Sequence, residues 1–329
     1  MKEDLRRFIA EVRRNPFLSL IVVVVFLLMT SVSLLPAYRG HIWDISPQKA
    51  GEFGDFIGGY FGPILSLIAI FFVVLTLREQ RETSSAERRA EEVEGFENRF
   101  YRLIDLHRAN VSEMSIGSVE GRRLFTKMLE EIRRALGAIS QLCESGALSI
   151  TTFEKLQVAY LVVFFGVGPN SSPALLEAIR DTGIELDSGN LNALELLLNR
   201  RRFPNDPYYY FDGHQQRLGH YYRHLFQSIS IVSQQRLIEK RSYAKSMRAQ
   251  LSTHEQLLLL INSFTSLGWR WWQDNLIIEY GMVKNLPKGM MESICPQQVS
   301  EIFPKGYFEW ERTSGRPQIL NILADSPQE

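Results

Sequence analysis

The stretches FLSLIVVVVFLLMTSVSLLP (residues 17–36) and FIGGYFGPILSLIAIFFVVLTL (residues 56–77) decide how this chain is read. Neither contains an acidic or basic side chain. Each is close to the ~20 apolar residues that a helix needs to cross a hydrocarbon core of ~30 Å. In lipid the backbone must satisfy its own hydrogen bonds, so two such runs in close succession predict a helical hairpin. The first run is longer than a secretory h-region and no Ala-x-Ala cleavage site follows it, so it is expected to remain as an anchor.

The basic residues set the orientation. Lys2, Arg6, Arg7, Arg13 and Arg14 precede the first run; Arg78, Arg81, Arg88 and Arg89 follow the second. Of lysine and arginine, the connecting loop holds only Arg39 and Lys49. The positive excess stays inside, which puts both termini in the cytoplasm and the loop in the periplasm of a bacterial inner membrane. The chain is parsed as a basic cytoplasmic leader (1–15), a first transmembrane helix (16–36), a periplasmic loop (37–55), a second transmembrane helix (56–77), a charged helical stalk (78–95), an α-helical cytoplasmic domain (96–312) and a polar tail (313–329). The expected fold class is mainly α: a two-helix transmembrane hairpin, then the stalk, then an all-α domain. Gly58 and Gly62 stand four apart in the second span, the small-x-x-x-small spacing of a helix-packing face, within the hairpin or between copies.

The 37 basic and 37 acidic residues cancel. No global basic excess points to nucleic acid, and no acidic tail to a basic partner. The only cysteines, Cys143 and Cys295, can build neither a disulfide framework nor a cysteine zinc site, and read as buried thiols.

Beyond the stalk, whose REQRETSSAERRAEEVE has no Pro, no Gly and no oily face, the pattern is helical. Phe96, Phe100, Leu103, Ile104, His107 and Val111 share one row, and Phe125, Met128, Leu129, Ile132, Leu136 and Ile139 another, both at the 3.6-residue period. LQVAYLVVFFGVG (156–168) is too short to span a membrane and reads as a buried core helix. SPALLEAIR and NLNALELLLNR give two shorter helices, and residues 214–240 a long one with a kink at Gly219. Ser252 and Glu255 have capping-box spacing before LLLLINSF. No sustained period-two alternation predicts a strand.

Four stretches, in this order and spacing, resemble the phage abortive infection family of bacterial membrane proteins: GEFGDFIGGYFGPILSLIAIFFVVLTLREQ, FENRFYRLIDLHRANV, GHYYRHLFQSI and YAKSMRAQLSTHEQLLLLINSF. The resemblance implies a two-span inner-membrane protein with a helical cytoplasmic domain and a role in antiphage defence. It carries no catalytic pattern, hence no mechanism.

Chemistry-bearing patterns are sparse. Arg102 with His107, and Arg217 with His224, have spacings similar to the Arg/His motif of HEPN-type ribonucleases, in which the pair acts on the scissile phosphate and its 2′-hydroxyl. His107 also lies on an apolar row, where a satisfied core histidine is the default. His220 and His224 stand at i, i+4, a spacing that can bind a metal, but no third ligand is evident. The Tyr-, Arg- and His-rich PNDPYYYFDGHQQRLGHYYRH could stack a nucleotide or nucleic acid; aromatic packing around a turn explains it more simply. Trp269, Trp271 and Trp272 around Arg270 suggest core and cation–π contacts. No phosphate loop, dinucleotide fingerprint or Gly-x-Ser-x-Gly occurs. No cofactor is expected. The leading expectation is a non-enzymatic membrane effector or sensor of abortive infection that contacts lipid, assembles as a homo-oligomer and responds to a phage component or a partner defence protein. A membrane-tethered HEPN-like ribonuclease and a passive scaffold are the alternatives, which leaves nucleic acid open as a partner.

Overall fold

A computed structural model describes residues 19, 20, 23, 24, 27, 47–200, 208–236 and 238–312. The leader, the first apolar run apart from those scattered positions, residues 37–46 of the loop and the tail from 313 lie outside the described residues. The chain divides into two compact units, Met1–Glu91 and Glu92–Glu329.

In the first unit, helix α1 (Pro47–Phe56) begins inside the stretch read as loop. Pro47 is its first residue, where a missing N–H costs nothing. A π-turn, Ile57–Phe61, carries Gly58 and Gly59, and α2 (Gly62–Glu113) follows. The apolar part of α2 leaves Ile64, Leu67, Ile70, Phe71 and Val73 exposed. No residue of its most apolar 18-residue window is buried, and among the described residues it is the one helix long and apolar enough to cross a membrane. Ser66 and Thr76 donate their hydroxyls to the carbonyls of Gly62 and Phe72, both at 2.9 Å, so neither polar group needs an outside partner. The charged stretch 78–94 is helical throughout, as its propensities require.

The second unit is mainly helical. The last turns of α2 bury Phe96, Phe100, Ile104, His107 and Val111, the row read from the 3.6-residue period. A two-residue antiparallel pair, β1 (Ser115–Ile116) and β2 (Val119–Glu120), breaks the all-α expectation. Gly117, at φ 58°, makes the two-residue turn. Helices α3 (Arg123–Glu144) and α4 (Thr152–Phe165) pack as the main pair, with α5 (Ser172–Asp181) against α4 and α6 (Ser188–Arg200) against α3. The long helix α7 runs Gln215–Gln234 without interruption at Gly219; it stops short of residue 240 because Gln235 turns extended at ψ 146°. Helix α8 (Lys240–Arg248) then starts on a side-chain cap from Glu239.

Helix α9 (Thr253–Ser263) is the hub: every residue from Glu255 to Ser263 is buried. Ser252 and Glu255 form the reciprocal capping box that their spacing predicted. A second box, Thr151 with Glu154, starts α4. Such caps contribute about 0.5–2 kcal/mol each. The chain closes with short helices α10 (Arg270–Gln273), α11 (Leu276–Glu279) and α12 (Lys288–Glu292), a 3-10 turn (Gln297–Ile302) and α13 (Glu309–Arg312). Trp272, Phe303, Tyr307 and Phe308 pack together there with ring centroids 4.6–5.5 Å apart.

Candidate functional site

Three polar constructions stand out in the helical unit. The first gathers the histidines of the two Arg/His pairs. His107 from α2 and His224 from α7 lie with ring centroids 6.3 Å apart and nearly parallel, and Tyr221 packs 5.2 Å from His107. Glu255, fully buried at the start of α9, accepts from the Tyr221 hydroxyl at 3.1 Å and from the Ser252 N–H at 2.7 Å. Arg122 reaches to 3.7 Å of the same carboxyl. His107 Nε2 stays 3.9 Å away, beyond hydrogen-bond reach. His107 is therefore a core histidine, 1% exposed, but not a satisfied one: both its ring nitrogens and both of His224's are buried without a hydrogen-bond partner among the described residues.

The arginines go elsewhere. Arg102 is exposed. Arg217 donates from Nε to the Ser115 carbonyl at 3.1 Å. The fold thus brings the two histidines together and places Arg102 at the surface, while His107 is sealed from solvent.

Burial lowers the pKa of His107 to about 4, with His224, Arg122 and Arg108 adding repulsion. Burial lowers that of His224 as well. Between about pH 4 and 6.5 the unfolded chain binds a proton at His107 that the folded chain refuses, so stability falls as pH drops through this window. At pH 5 the His107 contribution is about 2 kcal/mol. His107→Leu, which leaves Glu255 with its Tyr221 and Ser252 donors, is expected to flatten the pH dependence of the melting temperature between pH 7.5 and 5. An unchanged slope would assign the acid sensitivity to other groups.

The second construction wraps residues 208–214 around Glu131 of α3. Its carboxyl is fully buried. Oε2 accepts from the Tyr208 hydroxyl at 2.7 Å and lies 2.7 Å from His214 Nε2, which is 2.8 Å from the Tyr208 oxygen. Oε1 accepts from the Phe211 N–H. Phe211 sits at φ 64°, a strained setting for a bulky residue, and this hydrogen bond holds it there. Outside this knot the Arg134 guanidinium covers the Tyr210 ring at 4.1 Å. The same segment is stitched to the end of α4 by Val167 N–H to the Phe211 carbonyl at 3.0 Å and His214 N–H to the Phe164 carbonyl at 2.8 Å. Glu131 went unread in the sequence. The available signal was its position: it shares the apolar row of Leu124, Met128, Ala135 and Ala138, an odd place for a carboxylate without partners.

The third is a cavity of about 650 Å³ between α7, the end of α4 and the turn after α9. Arg223, Arg270 and His220 stand on its wall with three amide side chains, Gln215, Gln216 and Asn262, and among the described residues no carboxylate lines it. Phe226 carries the Arg270 guanidinium over its face at 4.7 Å and meets Trp271 edge-on at 5.3 Å. Asn262 is 1% exposed; its Nδ2 donates to the Tyr160 hydroxyl at 2.8 Å, whereas Oδ1 has no hydrogen-bond partner among the described residues. The cation–π contact expected around Arg270 is made, with Phe226 and not with a tryptophan as the ring.

Of the remaining sequence candidates, His220 is exposed and His224 half-buried, and no group of three or more metal-ligating side chains occurs among the described residues. A Cβ on Gly58 or Gly62 would meet nothing within 4 Å. Cys143 is half-buried; Cys295 is buried, and burial pushes its thiol up to about 12, which keeps it from being a poised nucleophile.

No curated protein and no solved structure matches this chain significantly. All three constructions draw on one stretch: Glu255, His224 and Tyr221 in the first, Gly213 and His214 in the second, and every cavity residue apart from Phe164 and Phe165 in the third lie between residues 213 and 291. Those residues, 213–291, match the family model described as "Putative phage abortive infection protein", the family that the sequence resembles.

Proposed function

We propose that the protein is a membrane-anchored effector or sensor of abortive infection, working without catalysis of its own. The carrying observation is the apolar band of α2, which leaves Ile64, Leu67, Ile70, Phe71 and Val73 exposed on the same helix whose last turns enter the core of the helical unit. Exposed aliphatic side chains over such a length are stable in lipid and costly in water. The family match supplies the role in phage infection. In this reading the hairpin sits in the bacterial inner membrane with both termini in the cytoplasm. Copies associate through Gly58 and Gly62, and infection sensed by the helical domain alters the membrane. A lone hairpin cannot line a pore, so the mechanism requires oligomers. Burial of His107 and the outward setting of Arg102 speak against the Arg102/His107 form of the ribonuclease alternative.

Membrane-potential dye uptake in infected, protected cells tests this. Cells expressing the protein should depolarise after infection, and uninfected cells should not. Ser85→Pro should insert and fold yet neither depolarise nor protect, because Pro inside a helix removes a hydrogen bond and costs about 3 kcal/mol or more. Full protection with an intact potential would overturn the membrane mechanism. So would full protection by a flexible Gly/Ser replacement of residues 78–94, which would favour a merely tethered domain.

A further inference from the structure

The cavity beside α7 has the chemistry of a nucleotide site. Its volume, about 650 Å³, lies within the ~300–1,000 Å³ of small-molecule pockets. Its charge is one-sided. Arg223 is exposed and has no acidic partner among the described residues, and Arg270 makes a single, solvent-exposed ion pair with Asp274 at 3.5 Å, which water screens and a phosphate can compete with. With no carboxylate on the wall among the described residues, an anion entering there meets guanidinium groups whose planar forks suit phosphate oxygens.

The rest of the wall suits a flat ring. Phe226 lines the wall half-buried with Trp271, 2% exposed, edge-on behind it, and Arg270 already lies flat on Phe226, as guanidinium groups do in stacked recognition sites. Asn262 supplies a hydrogen-bond acceptor that is almost fully buried and unused. Buried polar atoms are nearly always paired, and an unpaired one costs about 1–3 kcal/mol. Two glycines shape the space. Gly268 lets its turn close on Asn262, where a Cβ would come within 2.4 Å of the Asn262 carbonyl oxygen. Gly219 sits inside α7, where a Cβ would meet nothing within 4 Å. A helix-interior glycine costs about 1 kcal/mol against alanine, and here the missing side chain opens the cavity.

We propose that this cavity binds a free nucleotide, with the phosphates on Arg223 and Arg270 and an amino-bearing base against Phe226 and Trp271, donating to Asn262. The site would give the sensor its ligand, and for that meaning it rests on the function proposed above. Binding itself is read on purified protein and not on protection, so a negative result removes the ligand and leaves the membrane mechanism standing.

The test is calorimetric titration of the full chain in detergent with ATP, GTP, CTP, UTP and inorganic phosphate, each to millimolar concentration. At least one amino-bearing nucleotide should bind, and phosphate alone should not reproduce it. Arg223→Glu, an exposed change, should weaken that binding at least tenfold. Gly219→Trp, which fills the cavity, should abolish it while far-UV circular dichroism stays that of the wild type; should this variant misfold, Arg223→Glu alone decides. Failure of every nucleotide to bind, equal binding by Gly219→Trp or Arg223→Glu, or a preference for single-stranded RNA over free nucleotides would each overturn the proposal.

Discussion

Glu131→Leu is expected to destabilise the helical unit by about 3–5 kcal/mol, a fifth or more of the ~5–15 kcal/mol that a domain has to lose. Leucine keeps the helix propensity of α3 and is only about a methylene larger, so the effect is dominated by loss of the carboxyl. Three groups lose the carboxyl at once: the Phe211 N–H is left without that acceptor, and the Tyr208 hydroxyl and His214 Nε2 keep only their 2.8 Å contact with each other. None can turn to water, because Tyr208, Phe211 and His214 are all buried. Phe211 also loses the contact that holds its left-handed backbone, so residues 208–214 should loosen as a segment. Tyr208→Phe removes one donor and leaves the others paired, and should cost only about 1 kcal/mol. Urea denaturation followed by far-UV circular dichroism ranks the variants. A Glu131→Leu midpoint equal to that of Tyr208→Phe would show that the carboxyl does not organise this segment.

Gly213→Ala should cost about 2–5 kcal/mol for a reason unrelated to polarity. Gly213 has φ 89°, and a Cβ there would come within 2.5 Å of the Phe165 carbonyl oxygen. Gly166, at φ 80°, faces it: a Cβ on that residue would come within 2.7 Å of the Asp212 carbonyl carbon. Two backbones touch through two glycines, and backbone cannot rotate aside as a side chain does. The same substitution at Gly219 meets open space inside a helix and should stabilise by up to about 1 kcal/mol. Opposite signs for one chemical change at positions six residues apart can be read in a single series of melting curves. Equal signs would mean that close approach does not govern Gly213.

Much of this architecture was legible because helical burial repeats. The row Phe96, Phe100, Ile104, His107, Val111 could be written down from spacing alone, and so could the Ser252–Glu255 cap, since both are local patterns. The apolar length of α2 was legible for the same reason. What escaped was non-local or lacked punctuation. Gln235 ends α7 with neither Gly nor Pro to mark it. The short helices after Phe264 are held by rings such as Phe303 and Tyr307 converging from separate turns, which no period announces. Glu131 draws its partners from some eighty positions away, as separations of 77 to 83 residues in its contacts record. His107 was legible as core, but its lack of partners depends on where Tyr221 and Ser252 direct Glu255, which only the fold decides.

The hub position of α9 bears on the order in which the chain can mature. Helices α3 and α4 both pack on α9, which the ribosome makes more than a hundred residues after α3 begins. At about 5–20 residues per second, roughly 5–30 s pass in which the apolar flanks of α3 and α4 exist without the element that covers them. The apolar band of α2 is made before either. Nascent chains would therefore carry two kinds of oily surface at once: one that lipid can take up immediately, and one that must wait uncovered for a helix still inside the ribosome. A chain truncated before Thr253 would keep the first and never resolve the second.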